Sequence, residues 1–294
     1  MKSIKKMMLS GALGCLISGM AYADGSSPQP VKPYWQDIQV VAVNKEKPRS
    51  SFMSYADRET ALTSRFEKSP YYSLLNGTWK FFFVDSYKDL PQNITDPSVN
   101  TSSWDDITVP GNWEVQGHGV AIYTNHGYEF KPRNPQPPLL PEANPVGVYR
   151  RDIEIPASWD NRDIYLHIGG AKSGLYVYLN GKEVGYSEDS KNPAEFLINK
   201  YLQPGKNVLT LKIFRWSTGS YLECQDFWRM SGIERDVFLW SQPKANIQDF
   251  RVVSTLDDTY TNGIFKLGVD LKNHTQETKN LNVGYELLDA KGNL

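Results

Sequence analysis

Apolar and polar residues alternate along much of the chain, in short runs bounded by Gly, Pro, Asn and Asp. Alternation with period two places every second side chain on one face of a strand. The runs predict strands at 78–84 (TWKFFFV), 106–109, 148–155 (VYRRDIEI), 163–168 (DIYLHI), 207–216 and 235–240. Residues 174–186 (GLYVYLNGKEVGY) carry the clearest local signal. There Asn180-Gly181 separates two alternating runs, which fits the type I′ turn of a two-residue hairpin. Short strands at this spacing predict an antiparallel sandwich. One short helical turn is expected near 57–62. There is no helix–strand alternation of a parallel sheet, no internal repeat and no phosphate-cradling Gly motif.

A domain boundary is expected near 242–245. Three further strand candidates follow, at 247–254, 264–273 and 281–289. An immunoglobulin-like sandwich needs about seven strands. Three leave unpaired edges and an uncovered apolar face. The expectation is therefore that residues 244–294 begin such a domain, and that the chain is the front of a longer polypeptide. The start reads as an export signal over 1–23: basic Lys2, Lys5 and Lys6, an apolar run from 7 to 20, and the small-x-small site Ala21-Tyr22-Ala23. That order favours a signal over a buried helix, and the run is short for a membrane span. The final location would be periplasm or cell exterior. Residues 24–48 read as an N-terminal linker or extension, and 49–243 as the first sandwich.

Composition narrows the function classes. The 294 residues carry 32 Lys+Arg and 33 Asp+Glu, a net charge of −1, which argues against a nucleic-acid surface. Aromatics make up 13%, which favours strands and turns over long helices. Cleavage after Ala23 would remove Cys15 and leave Cys224 alone, so no internal disulfide forms and an inert thiol is the expectation. His118, His126, His167 and His274 show no i, i+4 pair and no Cys cluster stands beside them, so no transition-metal site is expected.

The residues with chemistry cluster in expected loops. Residues 132–145 hold six prolines, a stiff connection that either crosses passively or shapes a site. Asn125 stands among Tyr123, His126 and Tyr128, the amide, phenol and ring that a sugar site needs, although an Asn before His-Gly also suits a plain turn. Glu188, Asp189 and Glu195 could serve acid–base hydrolysis of a glycoside, against the plainer reading of a solvated loop. Glu223, Asp226, Arg229, Glu234 and Arg235 around Trp228 read as a packed ion-pair network.

Six words stand in one order: LNGTWKF (75–81), VPGNWEVQGHG (109–119), IYTNHGYEF (122–130), NPVGVYRRDI (144–153), VYLNGKEVGYSEDSKNPAEF (177–196) and RWSTGSYLECQDFWRMSGIERDVFL (215–239). Together they resemble the N-terminal part of a glycoside hydrolase family 2 β-galactosidase. The resemblance implies an all-β chain, a jelly-roll sugar-binding sandwich followed by a truncated immunoglobulin-like sandwich, with a (β/α)8 barrel beyond it. It implies that Asn125 reaches the active site and contacts galactose. It implies that Asp189 binds galactose hydroxyls and helps to hold sodium, with magnesium reserved for the barrel. The family's two catalytic glutamates belong to that barrel, so no catalytic residue is expected in this chain, and neither Glu188 nor Glu223 fills that role. The implied partners are a β-galactoside, the rest of the same polypeptide and, as in many relatives, a second copy of the chain, with neither nucleic acid nor a membrane span. The alternatives are a stand-alone galactoside-binding module and an accessory domain without catalysis.

Overall fold

A computed structural model describes residues 32–130 and 134–293. The expected signal (1–23), the start of the extension, Cys15 and Pro132 lie outside the described residues. The strands run in chain order β1 (Ala42–Val43), β2 (Tyr72–Leu74), β3 (Gly77–Val84), β4 (Asp105–Val109), β5 (Gly111–Asn112) and β6 (Ile122–Thr124). Then come β7 (Val146–Glu154), β8 (Arg162–Ile168), β9 (Ala171–Lys172), β10 (Gly174–Leu179), β11 (Lys182–Ser187) and β12 (Ala194–Leu197). The last are β13 (Lys206–Phe214), β14 (Phe227–Arg229), β15 (Gly232–Ile233), β16 (Val237–Pro243), β17 (Ala245–Leu256) and β18 (Gly263–Asn273). The expected helical turn is α1 (Arg58–Leu62), capped by the Asp57 carboxylate, which accepts from Thr60 N. Among the described residues no helix is long and apolar enough to cross a membrane.

Two antiparallel sheets face each other. One has seven strands in the order β1-β11-β10-β13-β7-β3-β4, the other four in the order β12-β8-β16-β2. Trp79, Phe81, Leu166, Leu175, Phe196 and Leu211 fill the space between them. Asn180 (φ 53°) and Gly181 (φ 77°) join β10 to β11, and positive φ at both positions is the type I′ geometry. The strand interiors depart from simple alternation: Val146–Arg150 and Val237–Gln242 are buried without a break. A strand covered on both faces has no polar side to show. The outer face of the larger sheet is covered by Trp35, Ile94 and Trp104, packed on Val146, Val148 and Phe214. The outer face of the smaller sheet is covered by Met53 and Phe66, packed on Phe238 and Trp240.

The stretch read as a linker takes part in this cover. Trp35 is 1% exposed and stacks on Phe214 at 5.0 Å, and β1 pairs with β11. Its polar composition conceals this because a single anchoring Trp and two paired residues leave no periodic pattern. After Pro243 the chain forms a ribbon of two long strands, β17 and β18. Of the three strands expected there, 281–289 does not form one. A strand exists only where a neighbouring edge takes its hydrogen bonds. This segment is held instead by side chains, Tyr285 against Phe265 at 6.0 Å and Glu286 to Arg58 at 2.7 Å.

Candidate functional site at the loop end of the sandwich

Asp189 stands two residues beyond the end of β11, and both its neighbours are pinned. Glu188 accepts from Tyr186 Oη at 2.7 Å, Thr218 Oγ1 at 3.0 Å and Gly219 N at 2.5 Å. Ser190 donates from N and Oγ to the two Glu223 oxygens at 2.7 and 2.6 Å. Between these anchors Asp189 adopts φ 70°, a left-handed conformation that Asp tolerates better than most residues. The result is an exposed carboxylate, steadied by Asn192 Nδ2 at 2.9 and 3.1 Å.

The solvated-loop reading of the three carboxylates holds only for Asp189. Glu188 is 4% exposed and Glu195 8%. Burial raises the Glu188 carboxyl above its ordinary value against the opposing bonds from Tyr186, Thr218 and Gly219. Glu195 is also desolvated, but its bond to His167 and the Arg49 guanidinium outweigh burial and hold it below the ordinary range. Glu195 accepts from Arg49 Nε and Nη2 at 2.9 Å each and from Trp240 Nε1 at 3.1 Å, with His167 Nδ1 at 2.8 Å.

Asn125 lies on the tip beyond β6, exposed, with its Oδ1 2.7 Å from His126 Nδ1. Tyr123 is exposed too, packs on Trp228 at 5.6 Å and donates to Asp226 at 2.8 Å. Tyr128 turns inward onto Tyr221 at 4.8 Å, so the expected sugar-binding group divides between surface and loop core. The proline-rich loop touches the same region through Leu139 O, which accepts from Tyr221. Phe227 pairs with Thr124, the residue before Asn125, and lies 5.4 Å from the Lys191 ammonium, two residues after Asp189. Asp189 borders a cleft of about 340 Å3 together with Lys45, Asn192 and His167, and Asn125 stands outside it.

The expected ion-pair network around Trp228 does not form as one: Asp226 and Arg235 are exposed, Glu234 pairs with Lys191 instead, and only Arg229 is fully buried. Arg229 is 1% exposed, 3.9 Å from Glu129 and bonded to Glu223 O at 2.9 Å, while Trp228 is 54% exposed. Cys224 donates to Ser220 O, and burial raises its thiol above the ordinary value, which disfavours the thiolate. Sequence reasoning did not single out Lys45, Arg49 or His167. The one signal for them was Glu195, an acid in the apolar strand AEFL whose register partner is His167.

Comparison with known proteins agrees with this architecture. Residues 72–243 match the family described as "Glycosyl hydrolases family 2, sugar binding domain". A β-galactosidase from Priestia megaterium is 39% identical over 88% of this chain, and one from Psychromonas ingrahamii is 35% identical over 87%. The chain spans about a quarter of the length of these curated relatives, 25% and 24%. Among solved structures, a β-glycosidase from Bacteroides vulgatus aligns at TM-score 0.52 and 22% identity, covering 70% of this chain and 25% of that one. A β-glucuronidase from Bifidobacterium dentium aligns at TM-score 0.53 and 18% identity, covering 69% and 36%. At those identities the likeness speaks for the fold alone. With the family match spanning more than half of its length, on a jelly-roll sandwich that carries both expected site residues in loops, the chain belongs to glycosyl hydrolase family 2.

Proposed function

We propose that this chain is the sugar-binding portion of an exported β-galactosidase that hydrolyses terminal β-D-galactosides with retention. The carrying observation is Asp189, an outward carboxylate fixed by two pinned neighbours on a family 2 sugar-binding sandwich. Hydroxyls bond strongly to a charged oxygen, and a fixed carboxylate loses little freedom on binding. Asn125 supplies an amide from the neighbouring loop as donor and acceptor. The ribbon of β17 and β18 begins an immunoglobulin-like domain. The two carboxylates of a retaining mechanism lie outside this chain, which contributes substrate positioning.

Sodium fits Asp189 as one hard oxygen ligand, because Asn192 uses only part of the carboxylate's lone pairs. Among the described residues no group of three or more His, Cys, Asp or Glu gathers around it, so side-chain acids alone would not complete the ion's ligand shell. When bound, the ion would hold sugar oxygens in place. The test is steady-state kinetics of the intact polypeptide that carries this chain. Asp189→Ala raises KM for a nitrophenyl β-galactoside at least tenfold and removes any dependence on sodium. An unchanged KM in that variant sinks the assignment.

A further inference from the structure

The arm at 45–53 crosses the outer face of the smaller sheet and leaves the cleft of about 340 Å3 beside Asp189, within the size range of ligand sites. Its apolar lining is Phe52, Met53, Phe66 and Phe238, and Lys45, Lys47, Asp189 and Asn192 also border it. His167 is fixed in two directions. Its ring stacks on Phe238 at 4.2 Å and 14°, and its Nδ1 lies 2.8 Å from Glu195. Nδ1 is thus engaged by Glu195, while Nε2 has no protein partner among the described residues.

The charges around the cleft do not cancel. Glu195 is used up by Arg49, Trp240 and His167, and Arg49 by Glu195 and the carbonyls of Ser50 and Phe52. Glu46 pairs with Lys272 at 3.2 Å. Lys45 and Lys47 form no ion pair within 4.0 Å among the described residues, which leaves two ammonium groups against Asp189 alone. Burial holds Lys45 below its ordinary value in spite of the pull of Asp189, so a bound anion would restore what desolvation removes.

We propose that this cleft is a subsite for an acidic pyranose, a sugar ring that bears a carboxylate or a sulfate. The acid lies against Lys45 and Lys47, the apolar face of the ring against Phe66 and Phe238, and hydroxyls meet His167 Nε2 and Asp189. The inference rests on the sugar-binding reading above and adds the ligand class.

The experiment is calorimetric titration of the 294-residue chain at constant ionic strength with galacturonate, galactose 6-sulfate, galactose and sodium sulfate. At least one acidic sugar binds at least tenfold tighter than galactose, and comparison of the two identifies the acid. The double variant Lys45→Ala, Lys47→Ala loses that tenfold preference with an unchanged circular dichroism spectrum. Both lysines sit on the arm outside the sandwich core, so the variant folds. Equal affinity for galactose and the acidic sugars overturns the proposal. So does sulfate alone binding as tightly as the acidic sugars, or a double variant with unchanged affinity. Failure of the Asp189 kinetics on a neutral galactoside would instead remove the earlier reading, so the two failures are distinguishable.

Discussion

Glu195 shows how one buried carboxylate ties distant residues together. Its partners are Arg49, His167 and Trp240, and the Arg49 guanidinium also lies over the Trp240 ring at 4.3 Å. Removing one member of a buried pair strands the other charge, so Arg49→Ala should cost about 3–5 kcal/mol in urea unfolding. The acid limb of stability follows from the same pair. The folded-state carboxyl lies below its ordinary value of 4.5, so the fold gains from its ionised form above that pH. That gain is lost as pH falls through 4.5 toward the folded value. Glu195→Gln should therefore flatten the fall of the melting temperature between neutral pH and pH 3. An equally steep fall in the variant would show that other carboxyls set the acid limb. Glu188 works in the opposite sense: burial raises its carboxyl, so its ionisation weakens the fold as pH rises through that higher value.

At the scale of elements, the hairpin of β10 and β11 was legible because its determinants are local. Asn-Gly sets positive φ at two consecutive positions, and alternation sets the faces. The pairing of β1 with β11 was not legible. It depends on Gly185, where an added Cβ would stand 2.3 Å from Val43 O and 2.7 Å from the Phe196 ring. Gly185→Ala should destabilise the chain by about 1–3 kcal/mol and expose the amides of residues 42–43 to hydrogen exchange. Unchanged exchange there would mean that β1 is held by other contacts. The third ribbon strand failed for the complementary reason. Residues 281–289 have strand-like side chains, but a period-two pattern does not supply the edge to pair with.

At the scale of the molecule, both sheets are covered on their outer faces, and the N-terminal arm does much of the covering. Trp35 packs among Tyr87, Phe214 and Tyr176, and its backbone amide donates to Tyr176 Oη at 3.4 Å. Trp35→Ala should cost about 3–5 kcal/mol, the range for emptying a large aromatic site in a core. A cost below about 0.5 kcal/mol, ordinary for a surface change, would show that the arm is only a tether. The ribbon is joined to the sandwich through the same arm: Ser50 N donates to Asp249 at 2.9 Å, and Ser50 Oγ to Phe250 O at 2.7 Å.

By itself the amino-acid sequence determined the longer strands of the sandwich, the hairpin, the all-β class and Asp189 as a loop carboxylate. These follow from side-chain period and turn chemistry, which act over a few residues. The family words then implied that Asn125 and Asp189 contact a sugar. Only the tertiary structure decided which of three nearby acids faces solvent, because burial of Glu188 and Glu195 depends on residues some 30 and 146 positions away. It alone joined Arg49 to Glu195 and His167, and it alone placed Asn125 outside the cleft that Asp189 borders. Such pairings arise from how sheets stack and how a loop crosses them, and no local pattern of residues encodes a contact whose partner is set by topology.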